Sequence, residues 1–381
     1  MRFVVVAAIL GSTLALFAQS SSSTNATTST NSSSRRPPPV YSPEILGDGK
    51  VTFRIRAPKA SEVKVSGEWS GDSTDLTRDD EGIWSATIGP LQPELYGYAF
   101  LIDGLRIADP GNPNVKPMRS PTTSILEIPG DPPLIHELTR DVPRGAVTAH
   151  DYYSDQVRAW RRLHVYTPAG YEGNNRRYPV LYLFHGSGDN DATWTTLGRA
   201  HVILDKLIAT DKAKAMIVVM PDGHPLAGRI TGTPGPEMIR KNLEAFTEDI
   251  LKSVIPFTEN HYRVRKDPQS RAVAGLSMGG GQSLALGLDN PGSFGYVAGF
   301  SSYVADPKEA TFKIFNSTRK PQLIWIACGK DDFLIQNQRD FSQTLSGHGI
   351  RHEFLVTEGN HSWPVWRKYL AQLAPLLFRE E

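Results

Sequence analysis

The alternation of apolar and polar positions changes character once along the chain. Between Tyr41 and about Pro117 it has period two: Val51, Phe53 and Ile55 alternate with polar neighbours, as do Val63 and Val65, then Trp84, Ala86 and Ile88, then Tyr96, Tyr98, Phe100 and Ile102. Successive side chains of a strand point to opposite faces, so this pattern predicts strands that each bury one face. Turn signals at Asp48-Gly49, Ser70-Gly71-Asp72, Glu81-Gly82 and Asp103-Gly104 separate them. That spacing predicts a small antiparallel, immunoglobulin-like β-sandwich over residues 41–117. A Pro- and Asn-rich stretch from Ala108 to Val142 follows, and residues 118–145 are expected to be a connection with little regular structure.

From Ala146 to the end, residues 146–381, short apolar runs alternate with longer amphipathic stretches, the signature of an α/β domain with a mainly parallel sheet. Strands are predicted at 162–166, 180–184, 215–220, 272–275, 296–300, 322–327 and 353–356. Helices are predicted at 200–209, 236–255, 280–288, 335–345 and 363–376. The whole reads as an α/β-hydrolase three-layer sandwich preceded by the β-sandwich.

The first residues follow neither pattern. Met1-Arg2, the apolar run Phe3 to Phe17 and the small residues of Ala18-Gln19-Ser20 predict a secretory signal peptide over residues 1–20. The run is shorter than the ~20 residues a spanning helix needs. Residues 21–40, nearly all Ser, Thr, Asn and Pro, predict a disordered linker. The mature protein is therefore expected to be secreted or periplasmic, with no membrane segment after signal cleavage. With 41 Lys+Arg against 40 Asp+Glu, charge gives no reason to expect nucleic acid or an anionic membrane as a partner. The single cysteine, Cys328, excludes an intrachain disulfide, and its place after the apolar run Leu323–Ala327 predicts a buried structural thiol rather than a nucleophile. Oligomeric state has no signature in the sequence.

The chemistry centres on Gly275-Leu276-Ser277-Met278-Gly279, which follows a strand and opens a helix. A serine hydroxyl is a poor nucleophile, so it has to be thrust from the sheet on a tight turn where an imidazole can take its proton. Downstream come Gly329-Lys330-Asp331-Asp332 and then Gly359-Asn360-His361, each after a predicted strand. Ser, Asp, His is the order of the α/β-hydrolase triad, and all three lie beyond carboxyl ends of strands, where open α/β sheets place their sites. Ser277 is the candidate nucleophile, His361 the base, and either Asp331 or Asp332 the acid. The strand ending in His185-Gly186-Ser187-Gly188 offers a backbone donor at Ser187 which, with the N–H of Met278, would form an oxyanion hole. Asp189, Trp194 and Trp363 flank these motifs and are expected to line the substrate pocket. No metal or cofactor is called for: the ten histidines show no His-Glu-x-x-His, and a Walker-type loop is absent. His185 and His224 are expected to shape loops.

These motifs resemble carbohydrate esterase family 1, the feruloyl and acetyl-xylan esterases, which are related to esterase D, enterochelin esterase and the mycolyltransferases. The resemblance rests on Tyr178–Gly186, Val219–Gly223, Ala274–Gly280, Gly329–Leu334, and His361-Ser362-Trp363 with Trp366. It implies that Asp332 is the triad acid and that Ser187, after His-Gly, is the oxyanion donor. It further implies a serine esterase that removes feruloyl or acetyl groups from plant cell-wall polysaccharide, or from a small-molecule ester, through an acyl-enzyme. A siderophore esterase or an acyltransferase would use the same triad, and a non-catalytic carbohydrate-binding protein is the reading from another class. Residues 51–114 resemble carbohydrate-binding module family 48. Where glycogen-binding members carry an Asn-Asp-Trp turn, this chain has Gly67-Glu68-Trp69-Ser70-Gly71-Asp72, so Trp69 and Trp84 are expected in the core.

Overall fold

A computed structural model describes residues 38–226 and 235–379. The expected signal peptide and all but the last residues of the expected linker lie outside them. The described residues from Val40 onward form one compact unit.

Nine strands make up its first part: β1 (Glu44–Ile45), β2 (Val51–Arg56), β3 (Val63–Gly67), β4 (Thr74–Asp75), β5 (Thr77–Arg78), β6 (Ile83–Ile88), β7 (Glu94–Ile102), β8 (Leu105–Ile107) and β9 (Ser124–Ile128). One antiparallel sheet runs β1-β2-β6-β5 and the other β4-β3-β7-β8, with β9 also on β7. The period-two residues do what their spacing requires: Val51, Phe53 and Ile55 from the first sheet meet Val63, Val65, Tyr98 and Phe100 from the second in one core. Trp69, stacked on Phe53 at 5.3 Å, and Trp84 close that core. Strand β9 falls inside the stretch expected to lack regular structure, which sequence could not reveal because its partner β7 is twenty-odd residues away. Leu126 and Ile128 of β9 face the same core, whereas Ile125 and Leu95 of β7 point the other way and join the core of the second part.

That second part is an eight-stranded sheet of β10 (Ala146–Ser154), β11 (Ala159–Thr167), β12 (Val180–Phe184), β13 (Ile217–Pro221), β14 (Arg271–Gly275), β15 (Tyr296–Phe300), β16 (Leu323–Gly329) and β17 (Glu353–Thr357). Its order is β10-β11-β13-β12-β14-β15-β16-β17, antiparallel for the first two junctions and parallel thereafter. Helices α1 (Thr193–Thr196), α2 (Ala200–Ala209), α3 (Pro236–Asp249), α4 (Ile255–His261), α5 (Met278–Asp289), α6 (Ile335–Gly347) and α7 (Trp363–Leu373) accompany it. The predicted helix over 236–255 is divided: α3 passes through a π-helical turn, Ile250–Val254, into α4. Strand β10 was not anticipated, because as an exposed edge it carries no apolar stripe.

Side chains of the central strands alternate between two cores. Leu181, Leu183, Val218, Met220, Ala272 and Ala274 face one side, and Val180, Tyr182, Phe184, Ile217, Val219 and Val273 the other. A one-residue slip would exchange the two sets, so register is firmly specified. The first core also receives Leu95 and Ile125, and beside them the buried Arg367 of α7 donates to Glu94 Oε1 and to the carbonyls of Leu95 and Leu197.

Burial holds His136 and His224 at about 4, below the ordinary value of 6.5. The unfolded chain therefore binds protons at these positions below pH 6.5 while the folded chain does not until about pH 4, so stability present above pH 6.5 is lost as pH falls through that window. We expect the melting temperature to drop between pH 6.5 and pH 4, and a His136→Gln, His224→Gln double variant to show a shallower drop. An unchanged slope in the double variant would place the acid sensitivity elsewhere.

Candidate active site

Ser277 stands between the end of β14 and the start of α5, with φ 53° and ψ −115°. A non-glycine residue at positive φ is strained and has to be held. Its N–H donates to the Phe300 carbonyl at 2.8 Å, and its own carbonyl accepts from the N–H groups of Tyr303 and Gly281 at 3.1 and 3.0 Å. The turn also needs strand and helix to meet without side chains between them. A Cβ on Gly275 would sit 2.4 Å from the Gly279 carbonyl oxygen, and one on Gly279 the same distance from that of His185.

The loop after β17 brings His361 to the serine, with Nε2 3.0 Å from Ser277 Oγ. Its Nδ1 lies 3.0 and 2.9 Å from the two oxygens of Asp332, in the loop after β16. Asp332 is buried, and burial alone would raise its pKa; hydrogen bonds from His361, Ser301 and the Leu334 N–H outweigh that and keep the carboxyl below the usual range. It is therefore an anion, which requires Nδ1 to carry the proton and leaves the Nε2 lone pair facing the hydroxyl. Asp331 is exposed, with its backbone tied to Gly359, and does not contact the imidazole.

Met278 is the first residue of α5, so its N–H has no acceptor within the helix and points out at the positive end of the helix dipole. Across from it, Gly186 approaches Ser277 so closely that a Cβ there would be 3.5 Å from the serine Cβ. The Gly186 carbonyl accepts from His185 Nδ1 at 2.8 Å and from the Asp189 N–H at 3.3 Å. Because C=O and N–H are opposed across a trans peptide, aiming this carbonyl inward turns the Ser187 N–H the other way. His185 Nε2 in turn accepts from the Gly223 N–H at 2.8 Å, which ties the loop after β12 to the turn after β13. His185 thus shapes a loop. Among the described residues, no group of three or more His, Cys, Asp or Glu side chains could hold a metal ion.

The expected substrate residues are buried beside the site rather than open to a substrate. Trp194 and Trp363 are both 1% exposed, packed edge to face at 5.0 Å, and Trp194 Nε1 donates to the Phe184 carbonyl, so both are core. Asp189 is buried against Lys116 at 2.7 Å. Proximity in sequence to the motifs misled, because α1 and α7 turn Trp194 and Trp363 into the core and the loop after β12 turns Asp189 onto Lys116. Two residues that sequence reasoning missed stand open at the site: Phe333, 76% exposed with its ring 4.5 Å from that of His361, and Tyr303, 45% exposed on the loop that receives the Ser277 carbonyl. Phe333 had one available signal, its place directly after Asp332.

With this geometry in view, the comparisons with known proteins define a class. The family model "Putative esterase" matches residues 154–377, more than half of the chain, and the chain belongs to this esterase family. It is a serine ester hydrolase. It is 32% identical over 344 residues to the endo-1,4-beta-xylanase/feruloyl esterase of Xylanibacter ruminicola, an alignment covering 88% of this chain but only 46% of that relative. In fold it resembles the ferulic acid esterase of Anaeromyces mucronatus, with TM-score 0.59, 23% identity and coverage of 64% of this chain and 94% of the other. It also resembles the enterobactin esterase of Shigella flexneri, with TM-score 0.62, 18% identity and coverage of 86% and 93%.

Burial, reinforced by the Asp332 charge, pushes the Cys328 thiol up to about 12. The thiolate is the reactive form. Iodoacetamide should leave the native protein unmodified and fully active at pH 8 while alkylating it in denaturant; rapid native labelling with loss of activity would contradict the burial described.

Proposed function

We propose that this protein is a secreted carbohydrate esterase that releases feruloyl or acetyl groups from plant cell-wall polysaccharide. The observation that carries the chemistry is the continuous hydrogen-bonded line from Asp332 through His361 to Ser277, ending at the N-terminus of α5. In this reading His361 takes the Ser277 proton as Oγ attacks the ester carbonyl, and Asp332 stabilises the imidazolium. The oxyanion is held by the N–H groups of Met278 and Ser187. His361 then protonates the departing alcohol, and a water activated by the same imidazole hydrolyses the acyl-enzyme. The resemblance to the xylanase/feruloyl esterase supports a cell-wall ester, as does the exposed Phe333 ring beside His361, a flat surface on which an aromatic acyl group can stack. The N-terminal two-sheet part is read as immunoglobulin-like and family 48-like. Export rests on the apolar N-terminal run.

Ser277→Ala should abolish turnover of a model ester, and Asp332→Asn should lower kcat by about 10⁴-fold, as loss of the acid does in a serine protease triad. Asp331→Asn should match the parent enzyme; the opposite ranking of the two aspartates would overturn the assignment. The acyl group is read by a second experiment. Phe333→Ala should lower kcat/KM on methyl ferulate by about tenfold, the equivalent of one aromatic stacking contact, with little change on p-nitrophenyl acetate. Equal losses on both esters would argue against an aromatic acyl group.

A further inference from the structure

We infer that the N-terminal two-sheet part of this chain is a positioning element of the active site, acting through Glu68 on the helix that follows His361 and through Lys116 on the oxyanion loop. The inference rests on the reading of Ser277, His361 and Ser187 given above, and it begins with a helix that cannot cap itself. The N-cap residue of α7 is Ser362, whose side chain makes no capping hydrogen bond, and the second position is Pro364, which has no N–H to satisfy. Val365 and Trp366 donate to the Ser362 carbonyl. That leaves the Trp363 N–H, and it donates to Glu68 Oε1 at 3.1 Å across 295 residues of chain. A carboxylate at a helix N-terminus also meets the positive end of the dipole.

Glu68 is itself fixed. Its Oε2 accepts from the Gly97 N–H of β7 at 2.6 Å, and its own N–H donates to the Gly97 carbonyl at 3.0 Å. Gly97 leaves room for this: a Cβ there would lie 3.2 Å from Oε2. The peptide so held is two residues from His361, and Trp366, one turn on, packs edge to face against the His361 ring at 4.8 Å. The carboxylate therefore sets where α7 begins, and α7 sets the imidazole.

A second set of contacts reaches the loop that carries Ser187. Lys116 hangs from the same sheet through its N–H bond to the Thr123 carbonyl at 2.8 Å. Its ammonium group pairs with Asp189 Oδ1 at 2.7 Å and lies 5.6 Å from the centre of the Trp363 ring. Alongside, the Arg119 N–H donates to the Gly188 carbonyl at 2.9 Å and Met118 bridges Asp189. The two-sheet part thus grips both sides of the serine hydroxyl, the base side through Glu68 and the oxyanion side through residues 116–119.

The test uses the full chain with Glu68→Ala, Glu68→Gln, Glu68→Asp and Lys116→Met, reading kcat and KM on p-nitrophenyl acetate and the rate of covalent labelling by a fluorophosphonate. Each variant is assayed well below its own melting temperature. Glu68→Ala and Lys116→Met should lower kcat and labelling rate together by about tenfold or more, the scale of a sub-ångström misplacement of reacting groups, with KM little changed. Glu68→Gln keeps an acceptor for only one of the two N–H groups and sets its NH2 against the other, so it should recover only part of the loss. Where Glu68→Ala does not fold, Glu68→Asp, which withdraws the carboxylate by one methylene, should show the same kcat loss. Parent kcat and labelling rate in Glu68→Asp and Lys116→Met would overturn the inference, as would losses confined to temperatures at which the variant is partly unfolded. Ser277→Ala separates the two levels: if it retains turnover the reading of the site falls, whereas if it is inactive and the Glu68 and Lys116 variants are fully active, only this inference falls.

Discussion

The structure depends on one strained residue. Ser277 can present its hydroxyl only because its backbone is forced to positive φ, a conformation that costs on the order of 1–3 kcal/mol and persists only where neighbours over-determine it. Here the neighbours are the Phe300 carbonyl, the Tyr303 N–H and a strand-to-helix crossing with no room for a Cβ at Gly275 or Gly279. They come from β15, from the loop that follows it, and from the crossing of β14 with α5. The central position of β14, between β12 and β15, is what makes the strain sustainable and also what brings the loops after β12, β16 and β17 within reach of one hydroxyl.

Much of this was legible. The period-two run at Val51, Phe53 and Ile55 and the apolar runs at Val180–Phe184 and Tyr296–Phe300 are direct imprints of burial on sequence, and they appear as strands in those places. The Ser, Asp, His order was readable because the fold fixes which strand ends meet. What could not be read were directions of side chains in loops. Asp331 and Asp332 are neighbours of identical chemistry, and only the backbone turn from Gly329 decides that one is buried against His361 and the other faces water. Trp194 and Trp363 look in sequence like pocket residues, yet each is needed to fill space between the sheet and α7. Strand β10 and the π-helical turn left no apolar pattern, the first because its faces are exposed and the second because a single extra residue per turn barely shifts a helical stripe.

The junction between the two-sheet part and the larger sheet shows two kinds of interaction with different consequences. Leu95 and Ile125 bury apolar surface into the same core as Trp194 and Trp363, a contribution roughly proportional to area and tolerant of small displacements. The polar contacts are of the opposite kind. Arg367 with Glu94, Lys116 with Asp189 and Glu68 with the Trp363 N–H each satisfy a wholly or partly buried group in one geometry. A buried ion pair adds little net stability over apolar packing, but removing one partner leaves the other uncompensated, so such pairs penalise every alternative arrangement. Apolar area holds the two parts together, and the polar contacts decide how. Because two of those three contacts end on the chain beside His361 and beside Ser187, specifying the junction and specifying the site are the same structural problem. A two-sheet part that bound sugar as an independent module would need neither contact.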